Sequence, residues 1–209
     1  MDIDVQAKVS RIVFASSNAG KVREIGQLLE GLSIDVLPQS DFNVPEIEET
    51  GRTFVENAIL KARNAAHHTG LPVIADDSGI AVDVLQGRPG IVSARFAGVG
   101  ASDEDNLKKL IEMIKPFPEE QRTARFICSM VYLRHEYDPV PIIAQGVWEG
   151  HLLIEPKGSN GFGYDPMFYV SSQQCTSADL TPEIKNKLSH RGQALTHLLG
   201  KLNEIYSVK

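Results

Sequence analysis

Two adjacent carboxylates, Asp76 and Asp77, lie between three apolar residues and a hydroxyl-glycine pair in Val73-Ile74-Ala75-Asp76-Asp77-Ser78-Gly79. A carboxylate set into an apolar run is expected to be paired or to bind a metal, because burying an isolated charge is costly. Side chains alternate across a strand, so both acids can look one way only if the chain turns there, and Gly79 permits a turn. The plainer reading is a strand end with a solvated Asp-Asp turn. A second acidic group, Glu48 and Glu49, lies in the loop from Phe42 to Gly51. Mg2+ takes oxygen ligands, commonly one or two carboxylates plus substrate phosphates. Two acidic loops that converged would suit such an ion, although solvation alone explains each of them better when it is viewed separately.

Two further sets could meet an anion and a planar ring. Ser16, Ser17, Asn18, Ala19, Gly20 and Lys21 form a polar stretch between an expected strand and helix. Such a turn offers backbone N–H groups and a favourable dipole to an anion. It is not the P-loop motif, which needs Gly at Ala15 and Ser or Thr at Val22. The glycine-rich stretch carrying Phe162, Gly163, Tyr164 and Asp165 is followed by Lys185 and by Ser189-His190-Arg191. Glycines admit close approach, an aromatic ring can stack on a base, and His or Arg can bond its edge. A hairpin loop and a helix cap would account for the same residues without a ligand. Taken together, a phosphate turn, an acidic metal site and a base-sized aromatic loop are the parts of a nucleoside triphosphate site.

The elements expected to position these residues are α/β in character. Arg11 to Ala15 reads as a strand, followed by a helix with Val22, Ile25, Leu28, Leu29 and Leu32 on one face and Gly31 near its end. Ile34 to Leu37 is a short strand closed by Pro38. Thr53 and Glu56 match a capping box. They open a helix whose buried stripe is Phe54, Ala58, Ala62 and Ala65, with Asn57 and Lys61 four apart on another face and able to address one object. Ile80 to Leu85 reads as a returning strand. Ser102 caps a helix with Leu107, Leu110, Ile111 and Ile114, and Arg125–Leu133 with Ile142–Trp148 reads as a long hairpin. Thr181-Pro182 starts a short helix. The terminal helix presents Ala194, Leu195, Leu198, Leu199, Leu202 and Ile205. One α/β unit over residues 1–209 is expected, with two lobes around a cleft.

Composition bounds the function. The 209 residues are ordinary in apolar and charged content, and the net charge of −6 disfavours broad binding to DNA or RNA. No apolar run reaches the ~18 residues of a membrane helix, and no secretory signal is expected. Cys128 and Cys175 form neither a disulfide framework nor a zinc motif. A cytoplasmic setting fits.

Ser-x-Asn-x-x-Lys-x-x-Glu at Ser16 to Glu24, Glu-Glu-Thr-Gly at Glu48 to Gly51 and Phe-x-Glu-Asn-Ala-x-x-Lys-Ala at Phe54 to Ala62 occur in order. They are followed by Ala-Asp-Asp-Ser-Gly at Ala75, Pro-Gly-Ile-x-Ser-Ala-Arg-Phe at Pro89, Gly-Phe-Gly-Tyr-Asp-Pro at Gly161 and Ser-His-Arg-Gly at Ser189. This ordered set resembles the inosine/xanthosine triphosphate pyrophosphatases, most closely their bacterial branch. The resemblance implies hydrolysis of noncanonical purine nucleoside triphosphates (ITP, dITP, XTP) to monophosphate and pyrophosphate, removing them from the nucleotide pool. It implies an elongated mixed-sheet fold with a central nucleotide-binding cleft, a homodimer, and Mg2+.

By likeness Asp77 is the general base and a metal ligand, with Glu48 the second ligand or its outer support. Ser16 to Lys21, Lys61 and Ser78 hold phosphates; Phe162 to Asp165, Lys185, His190 and Arg191 hold base and sugar. Asp76 supports Asp77. Met1 to Lys8 precede the usual start, as a disordered extension, and Ser171 to Cys175 replaces a segment that commonly carries Gly-Lys. A nucleotide-sensing protein without catalysis and a pyrophosphatase for modified pyrimidine nucleotides are the rival readings; a turnover assay separates the first, the full motif set the second.

Overall fold

Residues Val73–Val82 form one uninterrupted strand, so the two carboxylates do not sit at a turn. The computed structural model describes residues 11–29 and 35–207. Met1 to Lys8, Gly31, Leu32 and Ile34, as well as the side chains of Leu28, Leu29 and Ile205, lie outside what is described.

Gly79 serves close approach rather than a bend. A Cβ there would press inside van der Waals contact with the Gly90 carbonyl oxygen and the Ser93 hydroxyl. That hydroxyl accepts a hydrogen bond from the Ile80 N–H at 3.0 Å and donates to Gly90 O at 2.6 Å. The expected returning strand from Ile80 to Leu85 is therefore corrected. Its first part continues the same strand, and Asp83–Leu85 is a 3-10 turn.

Among the described residues the strands are β1 (Arg11–Ala15), β2 (Asp35–Pro38), β3 (Val73–Val82), β4 (Thr123–Leu133), β5 (Ile142–Leu152), β6 (Phe168–Val170) and β7 (Cys175–Thr176). They form one sheet in the order β2-β1-β3-β4-β5-β6-β7. β1 is parallel to both β2 and β3, whereas β6 is antiparallel to β5 and β7. This is the mixed α/β class expected. Ser171 to Gln174 make the turn between β6 and β7.

The helices are α1 (Ala19–Leu29), α2 (Phe54–Thr69), α3 (Asp103–Ile114), α4 (Pro182–Leu188) and α5 (His190–Ser207). Local chemistry accounts for their starts. Thr53 accepts from the Glu56 N–H, and Ser102 and Asp105 complete a reciprocal capping box. Thr181 caps α4 with Pro182 at its first position. Gly70, at φ 64°, ends α2 in the left-handed conformation.

The chain divides into two compact units: Met1–Asp76 with Ser129–Ala144 and Leu195–Lys209, and Asp77–Cys128 with Gln145–Ala194. In the first, Ala58, Ala62, Ala65 and Ala66 of α2 pack with Val13, Ala15, Val73, Ala75, Val131 and Leu133. Alanines along that face let the helix lie close to the strands. The second has a bulkier core of Ile80, Leu110, Ile114, Phe126, Trp148, Leu152, Met167 and Phe168. Each fully buried side chain of this size contributes ~1.5–3 kcal/mol. Among the described residues no helix is long and apolar enough to cross a membrane.

Candidate active site

In the first unit the polar turn is shorter than the motif. Only Ser16, Ser17 and Asn18 precede α1, and Ala19, Gly20 and Lys21 are already its first turn. Asn18 acts as a cap: its Oδ1 accepts from the Lys21 N–H at 3.1 Å, while Ser16 Oγ accepts from the Asn18 N–H at 3.2 Å. The Lys21 ammonium lies 2.9 Å from Asp76 Oδ2, and the Asp76 side chain is fully buried. This explains how a carboxylate can occupy the middle of β3. Strand alternation turns Asp77, only 5 % exposed, to the other face. The two acids are thus divided by the strand itself.

The acidic loop is tied to α2. Lys61 Nζ lies 2.8 Å from Glu49 Oε1. Asn57 Oδ1 accepts from the Gly51 N–H at 2.8 Å. Asn57 and Lys61 do address one object, and it is the loop carrying Glu48. A Cβ on Gly51 would lie 2.6 Å from Asn57 Oδ1 and 2.7 Å from Glu56 Cβ, so that position needs glycine. Glu48 itself is exposed.

In the second unit, Arg191 Nη2 donates to Ser78 Oγ at 3.1 Å, joining the start of α5 to the residue after Asp77. The Arg191 guanidinium also lies 5.7 Å from the centre of the half-buried Phe162 ring, and Lys185 Nζ lies 5.1 Å from it. Both are within cation–π range. Asp165 organises this loop. Its Oδ2 accepts from the Phe162 N–H at 2.8 Å and from Lys185 Nζ at 2.7 Å, and its Oδ1 from Ser177 Oγ at 2.8 Å. Gly163 N–H donates to Asp103 Oδ2 at 2.8 Å.

Tyr164 faces inward: its hydroxyl donates to the Ser93 carbonyl at 2.7 Å. Burial, with the charge of Asp103 adding to it, pushes that phenol well above its ordinary range. His190 stacks on Phe126, rings 4.8 Å apart and 10° from parallel.

Residues 12–201 match the Ham1 family. This chain belongs to the Ham1 family. It is 56% identical over 195 residues, 93% of this chain and 98% of the other, to a dITP/XTP pyrophosphatase of Vibrio parahaemolyticus. It is 59% identical over 192 residues, 92% of this chain and 98% of the other, to a dITP/XTP pyrophosphatase of Thioalkalivibrio sulfidiphilus. The solved structure of a HAM1 protein from Coxiella burnetii matches at 50% identity with a TM-score of 0.85, covering 93% of this chain and 98% of that one.

Several residues that shape this region are given no role by the sequence, although Ser93 lies within the Pro-Gly-Ile-x-Ser-Ala-Arg-Phe motif. Ser93 anchors both β3 and Tyr164, Asp103 holds the glycine loop, Ser177 holds Asp165, and Phe126 carries His190. A polar residue just past a helix cap, as Asp103 is after Ser102, is a weak signal. Ser177 and Phe126 have none in the local sequence.

Proposed function

We propose that this chain hydrolyses noncanonical purine nucleoside triphosphates, ITP, dITP and XTP, to the monophosphate and pyrophosphate. The observation that carries this reading is the linked set in the second unit: Phe162 under two cations, Arg191 bonded to Ser78, and Ser78 next to Asp77. It links a ring able to stack a base, through Arg191 and Ser78, to the residue beside a carboxylate able to take a proton. The curated relatives named above support the substrate class.

In this reading water attacks the α-phosphorus in line, the α–β bridging P–O bond breaks, and pyrophosphate leaves with that oxygen. Asp77 accepts the proton of the attacking water. Lys21, Lys61, Ser78 and the Ser16–Lys21 turn hold phosphate oxygens. Phe162, Gly163, Tyr164 and Asp165 with Lys185, His190 and Arg191 hold base and sugar. Donors aimed at O6 favour a 6-keto purine and would be left unpaired by adenine.

Glu48 and Asp77 are hard oxygen donors, the class that Mg2+ takes. Mg2+ commonly takes one or two carboxylates and completes its shell with water and substrate phosphates rather than an all-protein cage. Glu48 and Asp77 would hold it, and when bound it neutralises charge on the leaving pyrophosphate. A homodimer in the cytoplasm completes the proposal; the free cysteines Cys128 and Cys175 accord with a reducing compartment.

A panel of ITP, XTP, dITP, GTP and ATP with Mg2+ tests the reaction. Pyrophosphate without orthophosphate is expected from the first three, and orthophosphate alone would refute it. Lys21→Ala is expected to lower kcat/KM by roughly 10–100-fold, the worth of a charge-assisted hydrogen bond, with the ITP/GTP ratio retained. A changed ratio would remove Lys21 from the phosphate role.

A further inference from the structure

The loop that carries Glu48 has no regular secondary structure from residue 44 to 50. Its geometry is set from outside. Three residues of α2 reach it: Asn57 accepts from the Gly51 N–H at 2.8 Å, Lys61 meets Glu49 at 2.8 Å, and Asn64 Nδ2 donates to the Pro45 carbonyl at 2.7 Å. Spaced four and three apart, they lie along one face of the helix. α2 is itself fixed, with Ala58, Ala62 and Ala65 wholly buried on its other side. Glu48 sits between these fastenings and is left exposed.

We infer that Asn57 and Asn64 are positioning residues that set Glu48 for its metal, with the Lys61–Glu49 contact tying the same loop while Lys61 keeps its proposed phosphate role. This rests on the reading that Glu48 holds Mg2+. The rigid helix removes freedom from an irregular loop, so the carboxylate is presented in place rather than searching for the ion. Groups hydrogen-bonded to a metal ligand itself contribute roughly 10- to 100-fold to metal affinity or activity; these fastenings act one step further out, on the loop that carries the ligand. The glycine at position 51 is part of the same device, because only a bare Cα lets Asn57 reach the main chain there.

Asn64 is the residue to change, since it lies outside the buried face and its side-chain amide donates to the loop carbonyl of Pro45. Asn64→Ala removes the fastening, and Asn64→Asp keeps the size but replaces the donor with an acceptor facing the Pro45 oxygen. Both variants are expected to raise the half-saturating Mg2+ concentration for pyrophosphate release on the order of tenfold, with kcat at saturating Mg2+ and the melting temperature retained. Mn2+ binding, followed by electron paramagnetic resonance with α,β-methylene ITP present, should weaken by the same factor, and amide exchange across residues 44–51 should quicken. Unchanged Mn2+ affinity in both variants would overturn the inference, as would unchanged exchange. If the wild-type protein released no pyrophosphate, the hydrolytic reading would fall while Mn2+ binding and exchange still judged the fastening.

Discussion

Asp77→Asn is expected to abolish pyrophosphate release, lowering kcat by about a thousandfold or more. A positioned general base alone is worth roughly 10²–10⁴ in rate, and the same substitution takes a negative charge from the proposed metal position. The fold should survive. Asparagine has nearly the shape of aspartate, and the strand around residue 77 is held by Ala75, Ile80 and Val82, all buried. A circular dichroism spectrum and melting curve like those of the wild type, together with turnover above a few per cent, would remove Asp77 from the mechanism. Asp76 offers the contrast. Its buried carboxylate lies against Lys21, so its loss should show first as instability and only then in catalysis.

Asp165→Ala is expected to be the most damaging change for stability in the second unit, costing about 3–5 kcal/mol. Asp165 is 3 % exposed and Lys185 6 %, so removing the carboxylate leaves an ammonium buried without that counter-ion. It also strands the Phe162 N–H and the Ser177 hydroxyl, whose bonds it accepts. For a chain of this size the melting temperature should fall on the order of 10 °C. Calorimetry decides it: a loss below about 1 kcal/mol would mean that solvent reaches Lys185 freely and that the pair is worth no more than a surface one. Asp165→Asn, which keeps an acceptor for the Phe162 N–H, should fall between.

What could be read directly from the sequence is what neighbouring residues decide. The cap at Thr53, the box at Ser102, the proline start of α4 and the apolar faces of α3 and α5 depend on partners within a turn or two. The Asp-Asp stretch shows the limit. Apolar residues on both sides of it marked a strand, and Gly79 invited a bend. The glycine in fact answers to Gly90 and Ser93, and the straight course of β3 needs Lys21, 55 positions earlier, to neutralise Asp76. In the site, the spacing of Asn57 and Lys61 correctly implied a shared target, but nothing local named the loop as that target. The inward turn of Tyr164 was hidden for the same reason, its acceptor being the carbonyl of Ser93. Motif residues were therefore visible as a set, and the division between those aimed at a ligand and those holding the frame was not.

The aromatic stack behind His190 makes the second unit optically addressable. The chain contains a single tryptophan. Trp148, 6 % exposed, stacks with Phe126 at 6.4 Å, and Phe126 stacks in turn with His190 at 4.8 Å. A shift of the imidazole ring would thereby be passed to one indole through one phenyl ring. Intrinsic fluorescence from this protein has a single indole source, and it reports on the surroundings of His190, the residue proposed to meet the base, without any label being introduced.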